Sequence, residues 1–440
     1  MKFSYTTLLT ILSSIVAVSA DCENVGGNYY CSATKKVVYK GVGFQGTYQD
    51  VTNMDDTTGT CSQQPYSFSG NLSPLDEELS VHCRGPLKLL QFGVYYPSGS
   101  NNQKREQEDC TTRHIHHKHK RGVEIVEVTE TVLVDAQGNT ITQSTTQATT
   151  VEGTLPTTYS NNNEGQTESQ PPQPSTSAAP SPSSSSSPSA APSEAPSDSA
   201  WVRSSYYTPG SADNCVFLNY HGGAGSGVWS SAFGNSLSYA NSDNSGGSSS
   251  PVALGDVTIG SNSEYVIMAG DDCSQGSGCG YYRPGSVAHH GFGGASKIFV
   301  FEFEMPSDGS SGFNGDMPAI WLLNAKIPRT LQYGDASCSC WKTGCGELDL
   351  FEILSSGSNK LISHLHSGQG ASQDTNNGGG GSQDYFVRPT SGSLKAAVVF
   401  TGSDIHIVQV DDSTDFSAGL SADVVNGWVQ ESGSVASIGY

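Results

Sequence analysis

The sequence predicts an all-β protein whose C-terminal half is a β-jelly-roll sandwich. Short runs of β-forming residues recur between clusters of Gly, Asn, Ser and Asp, and strong helical patterns are absent. The 51 glycines and abundant serines supply turns rather than bundle cores. Taken in order, Val37-Val38-Tyr39-Lys40 and the run 87–96 read as strands of a small, Cys-containing β-rich domain over 21–112. The runs 265–269, 297–305, 318–323, 347–354, 360–366 and 395–410 read as strands of the sandwich, placed over 201–440.

Between these domains, 113–200 reads as a disordered linker. It opens with a basic, His-rich strip, Arg113 to Arg121, for which a solvated connector and metal capture are the two readings. Lys120-Arg121 is a dibasic pair that a processing protease could cut. The Ser/Thr/Pro-rich remainder, including the serine run 183–187, cannot build a core and suits an extended O-glycosylated stalk.

Residues 1–20 have the form of a secretory signal: Met1-Lys2, an apolar core over 8–18, then Val18-Ser19-Ala20. The C-terminal Ser434-Val435-Ala436-Ser437-Ile438-Gly439-Tyr440 lacks the apolar tail of a lipid-anchor signal. The expectation is a secreted, wall-associated protein, with Asn71-Leu72-Ser73 as its N-glycosylation sequon. A net charge of −21 argues against nucleic acid or an anionic membrane as partner and suits a neutral substrate. The 11 cysteines then read as disulfides, five before the linker and six after it. A metal site at Cys338, Cys340 and Cys345 is the competing reading, and the odd cysteine of the first half could pair across domains or chains.

The chemistry concentrates in Gly346-Glu347-Leu348-Asp349-Leu350-Phe351-Glu352. On a strand, Glu347 and Asp349 share one face while Leu348 and Leu350 face the core. A regular strand would turn Glu352 into the apolar side, where an unpaired carboxylate costs several kcal/mol. A β-bulge between Asp349 and Glu352 would return it to the acidic face. An acidic edge strand or a calcium-binding face would also place three acids together. Retaining glycoside hydrolysis requires a carboxylate nucleophile and a carboxyl that acts as acid and then base, and a third carboxylate between them can orient the nucleophile and keep the acid's pKa raised.

This segment resembles the bulged catalytic strand of glycoside hydrolase family 16, the laminarinase-like β-glucanases. The run 297–306, then Gly315-Asp316-Met317-Pro318-Ala319-Ile320-Trp321-Leu322-Leu323, resembles that family's preceding strands, and Leu361-Ile362-Ser363-His364-Leu365-His366 its following one. The resemblance implies Glu347 as nucleophile, Asp349 as its orienting partner and Glu352 as general acid/base. It also favours Trp321 on the cleft floor, against a plain core position. Trp341 could line the cleft, and His366 could bond near the acids or simply fill the sheet.

One departure is the order: Cys215-Val216-Phe217-Leu218-Asn219-Tyr220-His221-Gly222-Gly223, with Gly227-Val228-Trp229, resembles a late segment of family 16 yet precedes the acids. This suggests a circular permutation. The whole layout resembles a fungal cell-wall family of probable circularly permuted 1,3-β-glucanases. That resemblance implies a secreted retaining endo-1,3-β-glucanase or transglycosylase acting on wall β-1,3-glucan, without cofactor or metal. A non-catalytic glucan-binding wall protein or adhesin is the alternative. The N-terminal domain could bind glucan, complete the permuted sheet or be removed at Lys120-Arg121.

Overall fold

A computed structural model describes residues 22–25, 28–100, 199–273, 278–371 and 378–438. The signal segment, the His-rich strip, Lys120-Arg121 and nearly all of the Ser/Thr/Pro stretch lie outside them. Two ten-stranded sheets pack face to face. One runs Gly247–Ser248, Ser238–Ala240, Cys215–Asn219, Glu264–Ala269, Leu79–Arg84, Ala319–Asn324, Glu347–Glu352, Lys360–Ser367 and Gly378–Gly381, with Phe386–Val387 beside Lys360–Ser367. The other runs Gly419–Leu420, Trp201–Thr208, Leu87–Pro97, Lys297–Glu304, Leu394–Thr401, Asp404–Gln409, Lys36–Tyr39 and Ser434–Ala436, with two short strands at its side. The all-β sandwich expected from the sequence is the fold observed.

The core between the sheets is built by period-two alternation. Phe299, Phe301 and Phe303 meet Ile320, Leu322, Leu348 and Leu350 there, all buried. The opposite face of the second sheet is closed by a helix, Ala422–Gln430, that the sequence reading missed. Ser421 caps it by accepting the Val424 N–H, and Val425 and Trp428 pack on Ile298, Val300 and Val399. Asn426 and Gly427 weaken its local helical signal, so burial of one face decides its structure.

The proposed boundary near residue 200 does not separate two folding units. Leu79–Arg84 lies between Glu264–Ala269 and Ala319–Asn324, and Leu87–Pro97 between Trp201–Thr208 and Lys297–Glu304. The N-terminal segment therefore supplies central strands to both sheets, because its apolar faces match vacancies that the C-terminal strands leave. Of the three roles open to it, completing the sheet is the one the fold displays. The hairpins Glu23–Val25 with Asn28–Tyr30 and Gly46–Asp55 with Thr60–Phe68 stand apart, each as its own two-stranded sheet.

The disulfides are Cys22–Cys31, Cys61–Cys338, Cys273–Cys279 and Cys340–Cys345, so all three clustered cysteines are oxidised rather than thiolate ligands. Cys61–Cys338 crosses from the first half to the second, and Cys83 and Cys215 are buried free thiols. Cys110 lies outside the described residues. The adjacent histidines His289 and His290 are held by neighbours: Nε2 of His289 meets the Tyr239 hydroxyl at 3.1 Å and His290 meets Glu78.

Candidate active site

The acidic strand carries the expected bulge. Its register with Lys360–Ser367 runs Glu347 to His366 and Asp349 to His364, then resumes at Glu352 opposite Ile362. The register with Ala319–Asn324 shifts in the same place, Phe351 facing Ile320 and Asp349 facing Trp321. Leu350 and Phe351 both turn into the core, and Glu352 returns to the face of Glu347 and Asp349. The three carboxylates line one cleft of about 270 Å³ together with Arg84, Trp321, Tyr333 and Trp341.

Each acid has a partner that fixes it. Trp341 donates its indole N–H to Oε2 of Glu347. Nε2 of His366 lies 3.0 Å from Oδ2 of Asp349, so His366 takes the bonding role rather than filling the sheet. Arg84 Nη2 donates to Oε1 of Glu352 at 3.3 Å while its Nε donates to the Met317 carbonyl at 2.8 Å. Trp321 is 5% exposed but lies on the cleft floor, its ring 5.2 Å from that of His82. Both readings of this tryptophan thus hold in part.

Burial raises the pKa of all three acids, and a neighbouring like charge adds to it for Glu347 and Asp349. Desolvation, then the charge of Asp349, pushes Glu347 up to about 8. Desolvation followed by the charge of Glu352 holds Asp349 well above the usual carboxylate range. Glu352 is raised by burial and pulled back by Arg84. Like charges this close do not all ionise together, so the cluster retains protons near neutrality. The cluster therefore holds protonated and ionised carboxyls side by side in one aromatic-lined cleft.

The cleft rim depends on the N-terminal hairpin. Cys61–Cys338 ties Thr60–Phe68 to the loop that carries Trp341, and Cys340–Cys345 closes that loop on itself. The Gln49 N–H donates to Thr343 Oγ1 at 2.9 Å, and Gln63 Nε2 to the Ser339 carbonyl at 3.2 Å. Replacing Cys61 and Cys338 by serine is expected to lower stability by about 2–4 kcal/mol in a denaturant titration.

Arg84, Gln332 and Tyr333 are site residues that the sequence reading did not single out. Arg84 stands 268 residues from Glu352, and no local pattern marks it. Tyr333, 62% exposed, donates to Glu264 at 2.9 Å from a loop with no strand or helix periodicity.

The fold and this site define an all-β sandwich protein with a carboxylate triad, Asp349 buried and Glu347 and Glu352 half-buried, in an aromatic cleft on one sheet. The chain belongs to the family described as cell wall protein YJL171C/Tos1, matching its N-terminal part over residues 35–97 and its C-terminal part over 199–428. It is 62% identical over the full length of both chains to a Candida albicans protein named probable circularly permuted 1,3-beta-glucanase TOS1. A Saccharomyces cerevisiae protein of the same name is 54% identical over 99% of each chain. A Schizosaccharomyces pombe protein, also named a probable circularly permuted 1,3-beta-glucanase, is 42% identical over 98% of each. No solved structure matches the chain.

Proposed function

We propose that this protein is a secreted cell-wall enzyme that cleaves β-1,3-glucan with retention, passing the released glycosyl unit to water or to a second glucan. The observation that carries this reading is the bulged strand that holds Glu347, Asp349 and Glu352 on one face. Glu347 attacks the anomeric carbon while Glu352 protonates the departing oxygen. The bond from anomeric carbon to leaving oxygen breaks, and a glycosyl ester forms on Glu347. Glu352, now a carboxylate, takes the proton of the incoming hydroxyl as that oxygen displaces Glu347. Asp349, held by His366, keeps Glu347 oriented and shares its proton load. Trp321 and Trp341 offer apolar ring faces to the C–H faces of the sugar. The family and the names of the relatives support the substrate class.

The test is product analysis with the full chain on linear β-1,3-gluco-oligosaccharides. Shorter products mean hydrolysis, and longer or branched ones transfer; no conversion under any condition sinks the enzymatic reading and leaves a glucan-binding wall protein. Glu352→Ala is expected to lose about 10²–10⁴-fold on these sugars. With an activated aryl β-glucoside, whose leaving group needs no protonation, it should retain ester formation, seen as a burst of phenol. Equal losses on both substrates would contradict the acid/base role of Glu352.

A further inference from the structure

A second cleft of about 270 Å³ lies beside the acids, between the strand Lys360–Ser367 and the N-terminal hairpin of Glu23–Val25 and Asn28–Tyr30. Its wall includes Ile362 and His364, the register partners of Glu352 and Asp349, so it lies one strand beyond the acid centre on the same sheet face. The hairpin is pinned there. Cys22–Cys31 closes it, the Cys31 N–H donates to the Gln383 carbonyl at 2.8 Å, and Ser32 N–H donates to Asp384 at 2.9 Å.

The lining has the chemistry of a neutral sugar site. Tyr29 is 57% exposed at the cleft, an aromatic face offered to solvent. Tyr30 is 1% exposed, yet its hydroxyl has no hydrogen-bond partner among the described residues. A buried hydroxyl left unpaired is costly unless a ligand or water meets it. Further polar groups come from His364, whose ring stacks on His366 at 5.7 Å, and from Gln383. Gly381 is required: a Cβ there would come within 2.7 Å of the Ser363 carbonyl oxygen and 2.8 Å of the His364 imidazole, so the cleft wall would have to shift.

We propose that this cleft is an acceptor-side subsite for a neutral glucosyl unit, with Tyr29 stacking on the pyranose face and Tyr30, His364 and Gln383 meeting its hydroxyls. This rests on the proposed acid/base role of Glu352, because the residue that protonates the departing oxygen borders the sugar that leaves or accepts. In transfer, the bound acceptor's hydroxyl oxygen bonds to the anomeric carbon and its proton passes to Glu352. The ester bond breaks, and its electron pair returns to Glu347. A glucosyl unit held here also shields the ester from water.

The experiment gives the full-length wild type, Tyr29→Ala and Gly381→Val the same reducing-end-labelled linear β-1,3-gluco-oligosaccharide. The labelled fragment is the part of the substrate that occupied the acceptor side. Both variants are expected to release shorter labelled fragments than wild type, with kcat/KM lower by roughly three- to tenfold from the lost stacking. An unchanged cleavage position, or a shift toward longer labelled fragments, overturns the proposal while leaving the enzymatic reading intact. No cleavage by the wild type removes the enzymatic reading and this subsite with it.

Discussion

Replacing Glu347 by glutamine is expected to abolish turnover and to stabilise the fold. In the proposed mechanism Glu347 is the covalent nucleophile, and its removal costs on the order of 10⁴-fold or more in kcat because the amide cannot form the glycosyl ester. The stability effect follows from burial. The Glu347 carboxyl has its pKa raised from 4.5 to about 8 in the folded protein. A group raised on folding contributes stability that is fully present below its unfolded pKa and is lost as pH climbs through the folded value. Between about pH 4.5 and about 8, wild type progressively gives up that contribution, and above it carries the cost of a buried charge. Glutamine does not titrate. The variant should gain about 1–3 kcal/mol over wild type at pH 8, a figure held below the full 1.36 kcal/mol per unit because the acids share protons. The gain should fade below pH 4.5. Thermal unfolding of both proteins across this range provides the measurement. A variant less stable than wild type at alkaline pH would mean that the Trp341 bond to Glu347 outweighs the desolvation cost. Asp349→Asn should shift the same profile in the same direction, since its own carboxyl is raised by burial and by Glu352.

The acid centre was legible because a conflict within one strand had a single local solution. Leu348 and Leu350 demand the core and Glu347 and Asp349 demand the other side, so Glu352 can join them only through a bulge. The orienting partners were not all legible in the same way. His366 sits on a strand whose pattern was readable, but Arg84 reaches Glu352 only because Leu79–Arg84 is inserted beside Ala319–Asn324. Strand neighbours separated by hundreds of residues leave no periodic mark, and a segment rich in apolar residues reads equally well as a domain of its own. The Leu87–Pro97 run was recognisable as a strand, whereas its place between Trp201–Thr208 and Lys297–Glu304 was not. Tyr30 was invisible for a related reason: its significance lies in a hydroxyl that the fold buries without a partner.

That interleaving leads to the other large effect: residues 201–440 expressed alone are expected not to fold. Removing the first segment takes a central strand from each sheet and exposes unpaired backbone on both sides of each gap. It also removes Leu79, Val81, Leu87, Leu89, Phe92, Val94 and Tyr96 from the core. Burial of each contributes about 1.5–3 kcal/mol, which together reaches the whole net stability of a typical domain, about 5–15 kcal/mol. Co-expression of residues 21–100 should restore soluble, active protein, because the missing strands need only to pair, not to be covalently joined. The reverse cut has the opposite outcome. Leu87–Pro97 and Trp201–Thr208 are antiparallel neighbours with Pro97 opposite Trp201, and the Ser98 N–H donates to the Ala200 carbonyl at 2.9 Å. The chain therefore leaves and re-enters the sandwich at one point. Replacing 101–198 by a short turn shortens a closing loop by four to five doublings, worth about 2–3 kcal/mol of stability. That variant should fold with a higher unfolding midpoint and act on soluble oligosaccharides like wild type. A folded, active 201–440 fragment would instead mean that the two inserted strands are dispensable, and Arg84 with them.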